Sequence, residues 1–138
     1  MNPKVYYASP KTPAEKVRFL IKIAADQFAK SQKLIIFTQD SKTAEFVDNL
    51  LWSEPKEGFL PHFISQTLLD ECIVITSEKT NLNQAKLALN LSLEPLNPSD
   101  LKLANILEIE DKSSPERLNF FKKKIQFYQK MGIPIVAL

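Results

Sequence analysis

Short apolar runs alternate along this chain with segments of helical periodicity. Residues 33–38 (KLIIFT) and 72–76 (CIVIT) are almost continuously apolar, as is typical of strands covered on both faces. Residues 87–92 and Asn105–Ile109 are further strand candidates, and Lys4–Ala8 begins the series. This order predicts an α/β fold in three layers, a mostly parallel sheet flanked by helices and linked by right-handed crossovers.

Helix start signals follow the first two strands. Thr12 precedes Pro13 and Glu15, the pattern of an N-cap followed by proline at the first helical position and an acid three residues after the cap. A second helix can be capped by either Asp40 or Ser41. Both helices are therefore predicted to begin directly after a strand, as a βαβ unit requires.

The C-terminal third is predicted to contain one long helix. Ser113 and Glu116 have capping-box spacing, so we expect the helix to open at Ser113 and to end at Gly132. Pro95 and Pro98 mark an earlier loop that we expect to include one short helical turn. Residues 133–138 are apolar, and two alternatives remain open for them: they pack back onto the sheet or pair with another chain.

Length, charge and cysteine content restrict the function classes. The 138 residues are predicted to form one domain, residues 1–138. A formal net charge of +2 lacks the basic excess of proteins that hold nucleic acid through its phosphates, so we expect no direct nucleic-acid binding. Cys72 is the only cysteine, which favours the reducing cytoplasm. No apolar run approaches the roughly 18 residues of a membrane span, so no membrane association is expected.

The turn after the first strand, residues 9–13, contains no glycine. A loop that cradles phosphate needs glycine where backbone amides approach the anion, and Gly58 and Gly132 are the only glycines of the chain. The sequence therefore predicts a Rossmann-like fold without a phosphate-binding loop, and we expect no cofactor.

Catalytic and metal-binding combinations are also poorly represented. A nucleophile and base could only be Cys72 and His62, and acids before Cys72 would raise the pKa of its thiol. One Cys and one His cannot form a structural zinc site. The acidic residues 70–71, 108 and 110–111 are interpreted as solvated or capping groups, so no metal is expected.

Trp52 and Phe59 border a polar segment, residues 53–57, that is predicted to be a loop. Large aromatic side chains beside a loop can form a docking surface, because they supply much contact area at small entropic cost. The alternative is that both rings fill the local core, which is the more common role of aromatic residues.

The segment from Trp52 through Phe59, Leu60, Pro61 and His62 resembles the chi subunit of bacterial DNA polymerase III holoenzyme. Other landmarks agree in order and spacing over nearly the whole chain: the first strand, the IIFT strand with Asp40 after it, the LNLS segment and the Phe127-Tyr128 pair before Gly132. The resemblance implies a non-enzymatic accessory subunit that links the clamp loader to single-stranded-DNA-binding protein. It also implies that Trp52, Phe59, Leu60, Pro61 and His62 bind the psi subunit, or a helicase of the XPD type.

The same resemblance implies a second site on the last helix. In the family, basic and aromatic residues there hold the acidic, Phe-ended tail of single-stranded-DNA-binding protein. Matching positions in this sequence are Lys122, Ile125, Gln126, Tyr128 and Gln129, so half of the family's charge is missing. Neighbouring lysines at 123, 124 and 130 could restore it, or could simply form a solvated face.

The fold alone leaves one alternative function. A small α/β enzyme that processes a nucleotide or another metabolite would have the same alternation of strands and helices. A micromolar nucleotide that raised the melting temperature would favour the enzyme over the adaptor, because ligands stabilise the state they bind.

Overall fold

A computed structural model of the chain describes residues 2–53 and 60–138. Within these residues, seven strands and four helices follow one another: β1 Lys4–Ala8, α1 Pro13–Ala29, β2 Leu34–Phe37, α2 Ser41–Ser53, β3 Phe63–Ile64, β4 Ile73–Thr76, β5 Leu87–Asn90, α3 Pro98–Leu101, β6 Asn105–Ile109, α4 Pro115–Lys130 and β7 Ile135–Ala137. No helix among the described residues is long and apolar enough to cross a membrane.

The strands form one sheet in the order β3-β4-β2-β5-β6-β1-β7. Every strand pair in the described residues is parallel, with Ile36 of β2 lying opposite Ile75 of β4 and Leu89 of β5. The α/β fold predicted from the sequence is therefore confirmed.

Helices cover both faces of this sheet. On one face, Leu34 and Ile36 pack with α1 and α2, whose buried side chains include Leu20 and Val47. On the other face, Ile35 belongs to a second apolar cluster that includes Tyr128 of α4. Burial of alternate β2 residues on opposite faces explains why this strand is apolar throughout.

The caps of the first two helices match their sequence signals. Thr12 Oγ1 accepts a hydrogen bond from the Glu15 amide at 3.1 Å, and Pro13 begins α1. For α2, Asp40 provides the cap: its Oδ1 accepts from the Thr43 amide at 2.8 Å.

The start of α4 differs by one residue from the prediction. Ser114 is the N-cap, and its hydroxyl accepts from the Arg117 amide at 3.1 Å. The Ser113 amide instead donates to the Asp111 carboxylate at 3.0 Å, which places Ser113 in the turn before the helix.

The apolar C-terminal residues pack back onto the sheet. Gly132 has φ +72°, a conformation that suits glycine and ends α4. The chain then turns so that β7 pairs with β1, Val5 lying opposite Ile135. This strand and the two-residue strand β3 were not predicted as strands from the sequence.

Candidate functional site

Trp52 lies in the last turn of α2 with its side chain displayed to solvent. The residue is 55% exposed. Its ring packs on the His62 ring, with 4.3 Å between the centroids and 44° between the planes. A supported but accessible indole is the arrangement expected of a protein-binding hot spot.

His62 lies beneath this tryptophan. It is only 1% exposed. Its Nδ1 lies 2.7 Å from the Leu60 carbonyl oxygen, and its Nε2 lies 3.1 Å from the Asp48 carbonyl oxygen and 3.3 Å from the Asp48 carboxylate. Because Asp48 belongs to α2, His62 holds the segment that leads into β3 against that helix.

The other predicted residues of this site differ in accessibility. Leu60 is buried and belongs to the core that α1 and α2 cover, whereas Pro61 is half-buried. Phe59 lies outside the described residues, as does Gly58. Leu60 and His62 are both buried in the structure. Direct contact of a partner with either residue stays a prediction.

Two exposed apolar residues next to this segment were not predicted from the sequence as part of the site. Phe63 is 40% exposed and Ile64 is 42% exposed. They form β3, the strand at one end of the sheet, and lie opposite Val74 and Ile75 of β4. Since neighbouring residues of a strand point to opposite faces, β3 exposes apolar groups on both faces of the sheet. We call Trp52, Pro61, Phe63 and Ile64 the Trp52 surface.

The residues predicted to bind an acidic tail are divided between two sides of α4. Lys122, Gln126 and Gln129 are exposed and, at spacings of four and three, share one face of the helix. Ile125 is half-buried beside them. Tyr128 is fully buried on the side that faces the sheet.

The comparison with family models decides the identity of the chain. Residues 1–136 match the family model described as DNA polymerase III chi subunit, HolC. The chain belongs to this family. No curated protein is similar enough to count as a match.

Membership of the chi family gives the chain an accessory role in DNA replication, within the DNA polymerase III complex. Among residues 2–53 and 60–138, no group of three or more His, Cys, Asp or Glu side chains could hold a metal ion. Several polar groups near the carboxyl edge of this chi-family sheet are joined to one another.

A buried polar network lies at the ends of β5 and β6. The Glu108 carboxylate accepts from the Lys124 ammonium at 2.6 Å, the Tyr128 hydroxyl at 2.6 Å and the Asn90 amide at 2.8 Å. All four residues are buried. The network therefore joins α4 to two neighbouring strands of the sheet.

Two sequence interpretations are wrong at this network. Glu108 is fully buried, so it is neither solvated nor a helix cap. Lys124 is 6% exposed and its Nζ also donates to the Ser92 carbonyl oxygen at 3.0 Å, so it adds no charge to the outer face of α4. A long apolar stem let this lysine take a position in the buried stripe of the helix.

Burial dominates the titration of this network. It raises the pKa of the Glu108 carboxyl above its ordinary value, while the adjacent Lys124, Tyr128 and Asn90 act in the opposite direction. Burial, reinforced by the Glu108 carboxylate, also raises the pKa of Tyr128, so its hydroxyl stays protonated and donates. The same hydroxyl accepts from the Leu96 amide at 3.1 Å, which ties the loop before α3 to α4.

Cys72 and His62 have separate surroundings in this chi-family chain. The Cys72 thiol donates to the Gln32 carbonyl oxygen at 3.2 Å, whereas the His62 ring faces Leu60 and Asp48. Burial raises the pKa of Cys72; Lys33 lowers it and Glu71 raises it. A thiol with a raised pKa is a poor nucleophile at neutral pH.

Proposed function

We propose that the chain is a non-catalytic adaptor of the polymerase III complex that binds the psi subunit through the Trp52 surface. The observation that carries this proposal is the exposed indole of Trp52 seated on the buried ring of His62. The ring is accessible to a partner, yet its support limits the conformational entropy that binding would cost.

The end strand β3 extends this surface with a second means of binding. The end strand β3 is short, but it consists of Phe63 and Ile64 only, so no charged residue or proline lies within it. An extended segment of psi that runs beside β3 would cover apolar groups on both faces and form main-chain hydrogen bonds. A helicase of the XPD type is the second partner that this surface would fit, so the two would compete for it.

The first prediction concerns Trp52. We expect Trp52→Ala to weaken binding of psi from the same organism about 30-fold, the loss of roughly 2 kcal/mol that is typical of an aromatic hot spot. Isothermal titration calorimetry of the purified pair measures the affinity. Phe46→Ala is the matched control, because Phe46 is a 61% exposed aromatic residue of the same helix but outside the Trp52 surface. Equal affinities for the two variants would contradict the proposal.

We further propose that the exposed face of α4 formed by Lys122, Gln126 and Gln129 binds the acidic tail of single-stranded-DNA-binding protein. The half-buried Ile125 would provide the apolar contact for the aromatic end of the tail. Tyr128 would act from beneath, by fixing the helix through its bond to Glu108. The adaptor would then connect the polymerase to coated template in the cytoplasm.

The second prediction concerns this face. We expect Lys122→Glu to weaken binding of a labelled peptide with acidic residues and a terminal Pro-Phe about fivefold or more at low salt, because attraction becomes repulsion. Fluorescence anisotropy measures the effect. Lys30→Glu makes the same change in net charge at the end of α1, on the opposite face of the sheet, and should have little effect. If both variants lose affinity equally, binding depends on net charge and not on this face.

A further inference from the structure

A cavity of about 420 Å³ opens at the carboxyl ends of β5 and β6. This volume lies within the range of ligand pockets, roughly 300–1,000 Å³. Ligands of parallel α/β sheets bind beyond the carboxyl ends of the strands. They bind near a pair of neighbouring strands whose connections lead to opposite sides of the sheet. Here β6 leads through α4 to β7 on one side, whereas its neighbour β1 leads through α1 to β2 on the other, and residues of both connections line the cavity. The cavity therefore has both the size and the position of a ligand site.

The walls of the cavity are largely apolar. They come from three helices: Val17 and Leu20 of α1, Phe46 and Leu50 of α2, and Phe120 and Phe121 of α4. Phe46 remains 61% exposed at the rim. An aromatic or branched apolar group that entered would bury its own surface and that of these side chains, which is favourable because apolar surface is removed from water.

Within residues 2–53 and 60–138, the charges around the cavity leave one cation, the exposed Arg117, without a partner in the protein. Lys16 pairs with Asp111 at 3.3 Å, and Lys124 pairs with Glu108 at 2.6 Å. For the guanidinium of Arg117, which also lines the cavity, the described part of the chain provides no hydrogen bond or ion pair. The excess of one cation suits a ligand with one negative charge.

We propose that this cavity binds a monoanion in which a carboxylate adjoins an aromatic or branched apolar group. The planar guanidinium of Arg117 can hold a carboxylate through two parallel hydrogen bonds. Lys124, which uses two of its three donors on Glu108 and Ser92, has one more to offer. The site lies apart from the Trp52 surface and from the exposed face of α4. A free hydrophobic acid and the C-terminal residue of a peptide share this chemistry.

Nuclear magnetic resonance with 3-phenylpropionate as the probe tests the site. We expect saturable shifts of the backbone amides of residues 90–93 and 117–121, and no saturable shift with 3-phenylpropanamide, which lacks the charge. Equal binding of the amide, saturation at other residues, or no saturation by the acid at millimolar concentration would overturn the proposal.

Arg117→Gln is expected to weaken binding of 3-phenylpropionate about tenfold, since it removes a charge-assisted hydrogen bond. Lys123→Gln removes the same charge from an exposed position of α4 outside the cavity and should bind like the parent chain. Equal affinity of both variants would overturn the role of Arg117. A tetrapeptide ending in phenylalanine identifies the source: binding that requires its free carboxylate supports a peptide terminus, and binding of the small acid alone supports a free acid.

Discussion

Replacing Lys124 with methionine is expected to lower the free energy of unfolding by about 3–5 kcal/mol near neutral pH. Methionine fills a similar volume but removes the only cation that contacts Glu108 in the described residues. The Glu108 carboxylate would then be buried with two neutral donors, Tyr128 and Asn90, and no counter-charge. Urea unfolding followed by circular dichroism measures the loss.

Two further variants identify the cause of this loss. Lys123→Met changes the neighbouring residue, which is exposed, and should alter stability by no more than about 0.5 kcal/mol. Adding Glu108→Gln to Lys124→Met removes the unpaired charge but keeps an acceptor for Tyr128, and should restore about half of the loss or more. A cost of Lys124→Met no larger than that of Lys123→Met would contradict a structural role for the ion pair.

The destabilisation of Lys124→Met should also depend on pH. Lys124 lowers the pKa of Glu108 against the effect of burial, so its removal raises that pKa further above the ordinary value of 4.5. Below pH 4.5 the Glu108 carboxyl is protonated in both the folded and the unfolded state. As the pH rises above 4.5, Glu108 loses its proton first in the unfolded state, so the unfolded state becomes relatively more stable. The difference in the free energy of unfolding between Lys124→Met and the parent chain should therefore be smaller at about pH 4 than at about pH 7.

The elements predicted best from the sequence are those whose signals are local. Strand β6 has the predicted bounds, Asn105–Ile109, because its three Ile and Leu residues form a short segment that begins at Asn105 and ends before the acids 110–111. Thr12 caps α1 as predicted, since the cap, the proline and the acid lie within four positions. Strand β3 has two residues, too few for a periodicity, and it exists because β4 offers an edge to pair with.

The buried polar groups were harder to predict because their partners are distant in sequence. Lys124 follows two other lysines and resembles part of a solvated run, and its partner Glu108 lies on a different element. One signal was available. Glu108 shares its strand face with Ile106, and Lys124 lies three residues after Phe121 and four before Tyr128, so both occupy core-facing positions. A buried acid needs a cation, and this helix position could supply it.

His62 presents the same problem at the Trp52 surface. A single histidine beside an exposed aromatic residue suggests chemistry or direct recognition, but its ring is enclosed by Trp52, Leu60 and Asp48. We infer that His62 positions Trp52 and attaches the segment before β3 to α2. This role predicts that its loss reduces both stability and partner binding.

We expect His62→Ala to lower the free energy of unfolding by about 3 kcal/mol, because it leaves a cavity and removes the ring nitrogens that contact the carbonyl oxygens of Leu60 and Asp48. His62→Phe keeps a ring beneath Trp52 but removes the polar contacts. It therefore separates the contribution of ring stacking from the contribution of the ring nitrogens. If stacking positions the indole, His62→Phe should bind psi more tightly than His62→Ala although both unfold at lower urea concentration than the parent chain. Equal affinity of His62→Ala and the parent chain, measured by calorimetry on the folded variant, would show that Trp52 needs no support from this ring.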